Sequence, residues 1–317
     1  MIPLTITDYR PDPELDAELA ELVYRATQGW SDQRPVTSGL VRSLLRPAGM
    51  TATTLVLHRS EDGRLLGAGA LRWPATLDTP GRTWGPLVLP EERGKGIGGA
   101  VLEAMQEVLA RRPGTRMITS EIPGARTCGW SLFERAGWVE SGVSRLLQRE
   151  LPPDADKLPT PAPEAAVRSA RQGEYLHKAL ADLFAEVNPN VDYATARDTF
   201  ARWSADARYT PDGLLLSEGP DGLRGAAIVY PLSNPALGEP AEAFIADVLT
   251  SPKLSGDQGA AVRAGLVAGA LRAGAAAGAE VARAVVACPY LTETMQAAGF
   301  SVADEIRFYA APVASEA

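Results

Sequence analysis

One stretch, Trp84 to Leu109, constrains this chain's fold more than any other: WGPLVLPEERGKGIGGAVLEAMQEVL. A short apolar run (Leu87, Val88, Leu89) stops at Pro90 and two acids, and apolar residues then recur at helical spacing through Val101, Leu102, Met105, Val108 and Leu109. The order is strand, glycine turn, helix. Glycines at 94, 96, 98 and 99 strip side chains from the point where the helix begins, so the N–H groups at its positive end stay open to an anion. Such a turn holds phosphate. The plainer alternative is a tight connection that uses glycine only for positive φ, but four glycines in six residues exceed what a connection needs.

Gly94-x-Gly96-x-x-Gly99 also satisfies the dinucleotide fingerprint, and Glu121 stands roughly where its ribose-binding acid belongs. The context argues against a dinucleotide fold. A Rossmann unit sets its glycine turn directly after a first parallel strand, whereas here a helical region and two antiparallel-type strands come first. Arg93-x-x-Gly96-x-Gly98, with Val88 and Pro90 before it and Ile97 inside it, resembles the R/Q-x-x-G-x-G/A signature of the GCN5-related N-acetyltransferases. The resemblance implies an α/β fold with a mixed, mainly antiparallel central sheet flanked by helices. It also implies acetyl-CoA as cosubstrate without a metal, held by Leu87, Val88 and Leu89 on the strand and by Arg93, Gly94, Lys95, Gly96, Ile97, Gly98 and Gly99 on the turn.

The rest of the first 150 residues fits that plan. The chain opens with a strand from Pro3 to Tyr9 and a helical pattern from Pro13 through Leu15, Leu19, Leu22 and Val23. Trp30 to Pro35 reads as a polar loop and Leu40 to Leu45 as a short helix; in the resemblance these form one wall of the acceptor site. Thr53 to Arg59 and Leu65 to Trp73 are β-rich runs joined by a turn in which Asp62-Gly63 supplies the positive φ of a hairpin. Arg82 to Leu89 follows as a third strand. Gly85-Pro86 in its middle predicts a bulge, because proline donates no ladder hydrogen bond, and in the resemblance that bulge opens the gap in which pantetheine lies. After the helix, Arg116 to Ile122 reads as a parallel strand, and WSLFERAGWVES (130–141) as a short helix stopped at Gly137 before a last strand from Gly142 to Glu150.

LFERAGW resembles the family's LYEKLGF segment, with one departure. The family's tyrosine, which protonates the departing thiolate, falls on Phe133, which has no proton to give. Tyr9, Tyr24 and Cys128 are the other groups of this half that could serve, unless the thiolate leaves unaided. A base is equally open. The carboxylate often found on the strand before the turn is missing, so Glu121 is the first candidate, with Asp78 behind it and a water relay as the third possibility.

LPPDADKLPTPAPE (151–164) is proline-rich and reads as a semi-rigid linker. Beyond it the pattern returns. Ser60-Glu61-Asp62-Gly63 is echoed by Gly219-Pro220-Asp221-Gly222, and LFERAGW by Thr294 to Phe300. The expected organisation is therefore two copies of one fold, 1–150 and 165–317. The second phosphate turn is eroded. With Pro252 set on Pro90, Ser255 replaces Arg93, Asp257 replaces Lys95 and Gln258 replaces Gly96; one residue along, Gly259-x-Ala261 fits the G-x-G/A portion and Gly256 falls on Arg93, and in either register a cation is lost and Asp257 is gained. One CoA per chain, in the first copy, is the expectation. The small residues Gly265, Gly269, Ala273, Gly274 and Gly278 leave the second copy's main helix few large side chains, so its neighbours must approach closely and the halves should not behave as independent modules.

At 317 residues and 45% apolar composition, each half can build a core. The net charge of −8 gives no footprint for nucleic acid and attracts a cationic amine. Two cysteines make no disulfide framework, and two distant histidines offer no zinc site. The first residues lack a signal-peptide pattern, and Arg263, Arg272, Glu280 and Arg283 interrupt the one Ala/Gly-rich run, so a cytoplasmic protein without a membrane span is expected. The function that follows is acetyl-CoA-dependent acetylation of a primary amine of a small molecule or peptide, by a monomer or homodimer. A non-catalytic acyl-CoA sensor and a dinucleotide-binding oxidoreductase are the alternatives, kept open by Phe133 and Glu121.

Overall fold

The computed structural model describes residues 4–28, 36–46, 50–74, 81–112, 117–123, 127–189, 209–232 and 241–311, with 191, 193, 194, 196, 197, 201 and 204. The chain divides into two compact units. The first holds Met1–Val143 and Asp304–Ala317, the second Ser144–Ala303.

In the first unit the strands β1 (Leu4–Asp8), β2 (Met50–Arg59), β3 (Leu65–Pro74), β4 (Gly81–Val88) and β5 (Met117–Pro123) lie in chain order, and β12 (Ser301–Ala310) follows β5. Every pairing is antiparallel except β4 with β5. Helices α1 (Pro13–Ala26), α2 (Ser38–Leu45), α3 (Ile97–Ala110) and α4 (Thr127–Arg135) complete the unit. Asp12 caps α1 by accepting the N–H groups of Glu14 and Leu15, and Pro13 begins it, as a helix start requires. α3 buries Ile97, Val101, Leu102, Ala104 and Met105, the stripe that its period laid out.

The second unit repeats this order. Strands β7 (Val167–Ser169), β8 (Leu214–Gly219), β9 (Gly222–Leu232), β10 (Glu242–Thr250) and β11 (Val281–Val286) lie in sequence, and β6 (Val139–Glu150) follows β11. β10 with β11 is again the parallel pair. Helices α5 (His177–Val187), α6 (Gly256–Ala276) and α7 (Pro289–Ala297) flank it. The small residues of α6 allow the expected close approach, since a Cβ on Gly265 would stand 2.4 Å from that of Ala165, and one on Gly274 2.7 Å from that of Ala243.

Two expectations need correction. The division at 150 and 165 assigns β6 to the first half and β12 to the second, yet the units cross it: the chain enters the second unit inside β6, at Ser144, and returns inside β12, at Asp304. The reason is pairing, because the outer edge of β5 is satisfied by β12, with Tyr309 opposite Thr119 and Arg307 opposite Ile122, and that of β11 by β6. Segment 151–164, read as a semi-rigid linker, packs on the second unit. Leu151 and Leu158 are buried in the second unit's core, and the Leu151 N–H donates to the Glu280 carbonyl at 2.7 Å.

Candidate acyl-CoA site in the first unit

β4 pairs with β5 only through Gly81, Arg82 and Thr83, opposite Met117, Ile118 and Thr119. Beyond Thr83 the two strands part. On its other side β4 carries the expected bulge, since the register to β3 shifts between Ala68, opposite Leu87, and Ala70, opposite Trp84, so that Gly85 and Pro86 face Gly69 alone. Gly85 has φ of 74°, and a Cβ there would stand 2.7 Å from the Ala68 carbonyl oxygen, so only glycine fits. Just before the strands part, the buried Arg72 guanidinium donates to the carbonyls of Thr83 at 2.5 Å, Leu44 at 2.9 Å and Arg82 at 3.4 Å. The root of the gap is thus tied to the end of α2.

Leu87 and Val88 close β4, Leu89 is buried, and Pro90–Glu92 make one turn of 3-10 helix before Arg93. Gly96 is the N-cap of α3, left-handed at φ 86°, and no side chain caps the helix. A Cβ built on Gly94, Gly96 or Gly99 meets nothing within 4 Å, so the space before the helix's first N–H groups is open. An uncapped helix start with clear space before it fits an anion such as pyrophosphate. The cations of the motif are partly engaged. Arg93 donates to the Ala26 carbonyl at 2.6 Å and the Val88 carbonyl at 3.3 Å, tying the turn to α1, while Lys95 pairs with Glu92 at 2.9 Å and stays largely exposed. Glu91 bridges Arg25 and Arg64, and its own N–H together with those guanidiniums holds its carboxyl down at about 2.

The second unit shows the contrast. At the start of α6, Ser255 accepts the Gln258 N–H and the Gln258 side chain reaches back to the Ser255 N–H, a complete capping box. Glu186 of α5 meets both the Ser251 hydroxyl and Lys253 at the same turn. Donors are consumed there and negative charge is added.

Phe133 is buried on α4, edge-on to Trp138 at 5.0 Å and stacked on Tyr309 at 5.7 Å. Of the other proton sources, the Tyr9 hydroxyl donates to Asp16 at 2.7 Å and its pKa is raised, first by burial and then by that carboxylate; Tyr24 and Cys128 are exposed. Glu121 lies on β5 beyond the last residue paired with β4, so its backbone borders the gap; its side chain is outside the described residues, as are Trp30 to Pro35 and Asp78. Trp73 is buried, with its Nε1 donating to Thr54 at 2.9 Å, and Trp84 is half-buried. Sequence reasoning missed Tyr309, which no motif marks because it reaches this unit on the returning strand. Among the described residues no three His, Cys, Asp or Glu side chains gather as a metal site, and no helix is long and apolar enough to cross a membrane.

No family model matches the chain. Over 192 residues it is 32% identical to the mycothiol acetyltransferase of Kineococcus radiotolerans, an alignment covering 58% of this chain and 59% of that protein, so the chain spans less than two thirds of the curated relative it matches. Among solved structures, a GCN5-related N-acetyltransferase from Sphaerobacter thermophilus superposes with a TM-score of 0.71 at 16% identity, over 97% of this chain and 96% of that one. A tandem GNAT protein from the clavulanic acid biosynthesis pathway gives 0.70 at 16% identity over 99% and 100%. N-myristoyltransferase of Saccharomyces cerevisiae, with bound myristoyl-CoA, gives 0.65 at 12% identity over 97% and 78%. The chain carries the tandem fold of the GCN5-related N-acetyltransferases along nearly its whole length.

Proposed function

We propose that this chain is an acetyl-CoA-dependent N-acetyltransferase that acts, through its first unit, on the primary amine of a small molecule or peptide. The observation that carries the reading is the uncapped start of α3 at Gly96, set at the mouth of the gap between β4 and β5. Backbone N–H groups at Gly96 to Gly99, with Lys95 beside them, would hold the pyrophosphate. The unpaired edge of β4 from Trp84 to Val88 would align the pantetheine and leave a strand N–H near Val88 to stabilise an oxyanion. When bound, acetyl-CoA supplies an activated acyl group. The chain's own contribution is to position an amine against it, a large share of any acceleration, with Glu121 or a water taking the amine's proton. The likeness to a mycothiol acetyltransferase supports acyl transfer of this class.

Thiol release from acetyl-CoA, measured against a panel of primary amines, tests the reading. At least one amine should raise release above background hydrolysis, and Gly96→Asp should abolish it. A second reading, an acyl-CoA sensor, is favoured by one observation only: Phe133 holds the acid's place in a sealed aromatic cluster. Tight CoA binding with no amine-dependent release would establish that reading instead.

A further inference from the structure

The two units differ where the long helix after the turn ends above the sheet. In the first unit that space is filled. Trp73, one residue from the end of β3, is buried there, and the guanidinium of Arg112, just past the C-cap of α3, stands 4.1 Å over its ring. Setting Leu66-Gly67-Ala68-Gly69-Ala70 on Arg224-Gly225-Ala226-Ala227-Ile228 sets Trp73 on Pro231, one residue from the end of β9. An indole has given way to a pyrrolidine ring.

A cavity of about 560 Å³ lies there, lined by residues of the second unit alone. The sheet contributes Val167, Leu215, Val229 and Pro231, and the end of α6 contributes Gly269, Ala273, Ala276 and Ala277, none of which brings a side chain longer than a methyl. The helix cannot settle into the space, because it already rests on the strands. A Cβ on Gly269 would stand 3.1 Å from Val167 and 3.2 Å from Leu215, and one on Gly274 2.7 Å from Ala243. Close-packed interiors seldom keep voids larger than a water, whereas this volume is that of a small-molecule site.

The wall selects the ligand. The C-terminal end of α6 presents its last carbonyls, which carry partial negative charge, and the exposed Asp212 adds a carboxylate. Arg168 lines the cavity, but its guanidinium is spent on Glu174, Glu218 and the Ser169 carbonyl. An anion gains little here, and a cation would face two guanidiniums. The second of these is Arg272. A guanidinium stacks through its face whatever its edge bonds, so Arg272 offers a ring what Arg112 offers Trp73.

We infer that this cavity binds a neutral bicyclic aromatic molecule of the indole class, held between Pro231 and Arg272 with its N–H toward the carbonyls that end α6. The ligand takes the place that the first unit fills with its own side chain. The site is separate from the acyl-CoA turn and does not depend on whether the first unit transfers acetyl groups.

The test is calorimetric titration of the full chain with indole, using indole-3-acetate as the anionic control and cyclohexylmethanol as the non-aromatic one. Saturable binding of indole with a stoichiometry near one is expected, roughly threefold or more weaker for each control and unchanged in Gly96→Asp. Pro231→Trp, which rebuilds the first unit's plug, should weaken it by roughly tenfold or more. Arg272→Lys, which keeps the charge and loses the flat face, should weaken it by roughly threefold. In the wild-type chain, nuclear Overhauser contacts from the indole protons should fall on the methyl groups of Ala273, Ala276 and Ala277; this readout needs no variant. Absence of saturable binding, contacts elsewhere on the chain, equal affinity for cyclohexylmethanol, or full affinity in a folded Pro231→Trp chain overturns the inference. Indole binding with these contacts but no thiol release would uphold it while the transferase reading fails.

Discussion

The ring of Phe133 stacks on that of Tyr309 with planes 20° apart, and the Tyr309 hydroxyl donates to Glu134 at 2.9 Å. Phe133, which we propose stands at the acid's position, is thus backed by a tyrosine whose proton is committed elsewhere, and burial with the Glu134 bond raises that hydroxyl to about 12. Phe133→Tyr should raise turnover roughly tenfold or more, within the usual range for a general acid. Tyr309→Phe should leave turnover nearly unchanged and cost about 1 kcal/mol of stability, the worth of one hydrogen bond. Thiol-release kinetics and thermal melts of both variants check this; a large loss of turnover in Tyr309→Phe would make Tyr309 the acid.

Gly96→Asp puts a side chain and a charge before the α3 N-terminus. CoA affinity should fall by two orders of magnitude or more in calorimetry, from a wild-type stoichiometry near one. Ser255→Ala in the second unit should lower stability by about 1 kcal/mol through loss of its cap and leave CoA binding untouched. A stoichiometry near two in the wild type would show that the second turn binds as well.

Arg93→Ala removes two hydrogen bonds to the carbonyls of Ala26 and Val88. The KM for acetyl-CoA should rise several-fold more than kcat falls, since the turn loses its tie to α1 rather than a reacting group. Arg93→Lys, which cannot span both carbonyls with a planar fork, should recover less than half of the loss. Steady-state kinetics with acetyl-CoA varied will decide it.

Asp247 makes stability depend on pH. A carboxyl with pKa raised from 3.8 to about 6 takes up a proton on folding, so its effect costs nothing below about pH 4, grows as pH rises to about 6 and is full above that. Asp247→Asn should therefore stabilise the chain by roughly 1–3 kcal/mol at pH 7.5 and by almost nothing at pH 4. Urea melts at the two pH values measure the difference.

Residues 1–150 expressed alone lack β12 and with it the antiparallel partner of β5. The fragment should melt well below the full chain and bind dyes that report exposed apolar surface. Supplying 301–311 as a peptide should restore part of the lost stability. A fragment as stable as the whole chain would show that β12 is dispensable.

Much of the fold was readable because its signals are local. Asp62-Gly63 announces a hairpin, Asp12-Pro13 a helix start, and the glycines from 94 to 99 a turn where a helix begins uncapped. Gly85-Pro86 announces the bulge for the same reason, a conformation that only certain residues permit. What stayed hidden depends on partners distant in sequence. Nothing in Tyr309 or Thr119 says that they pair, and two leucines among the prolines of 151–164 look unremarkable until a core is found to need them. Asp247 stayed hidden as well, since a single carboxylate in an apolar strand carries no motif.

The return of the chain at Asp304 also fixes an order of events during synthesis. Phe133, Trp138 and the outer edge of β5 leave the ribosome long before Tyr309 exists, so the first unit must wait, incomplete and with an open strand edge, while the whole second unit is translated. Completion of the first unit is therefore set by β12, which is made after the second unit. A chain cut short before β12 would leave the outer edge of β5 open to pairing with other chains.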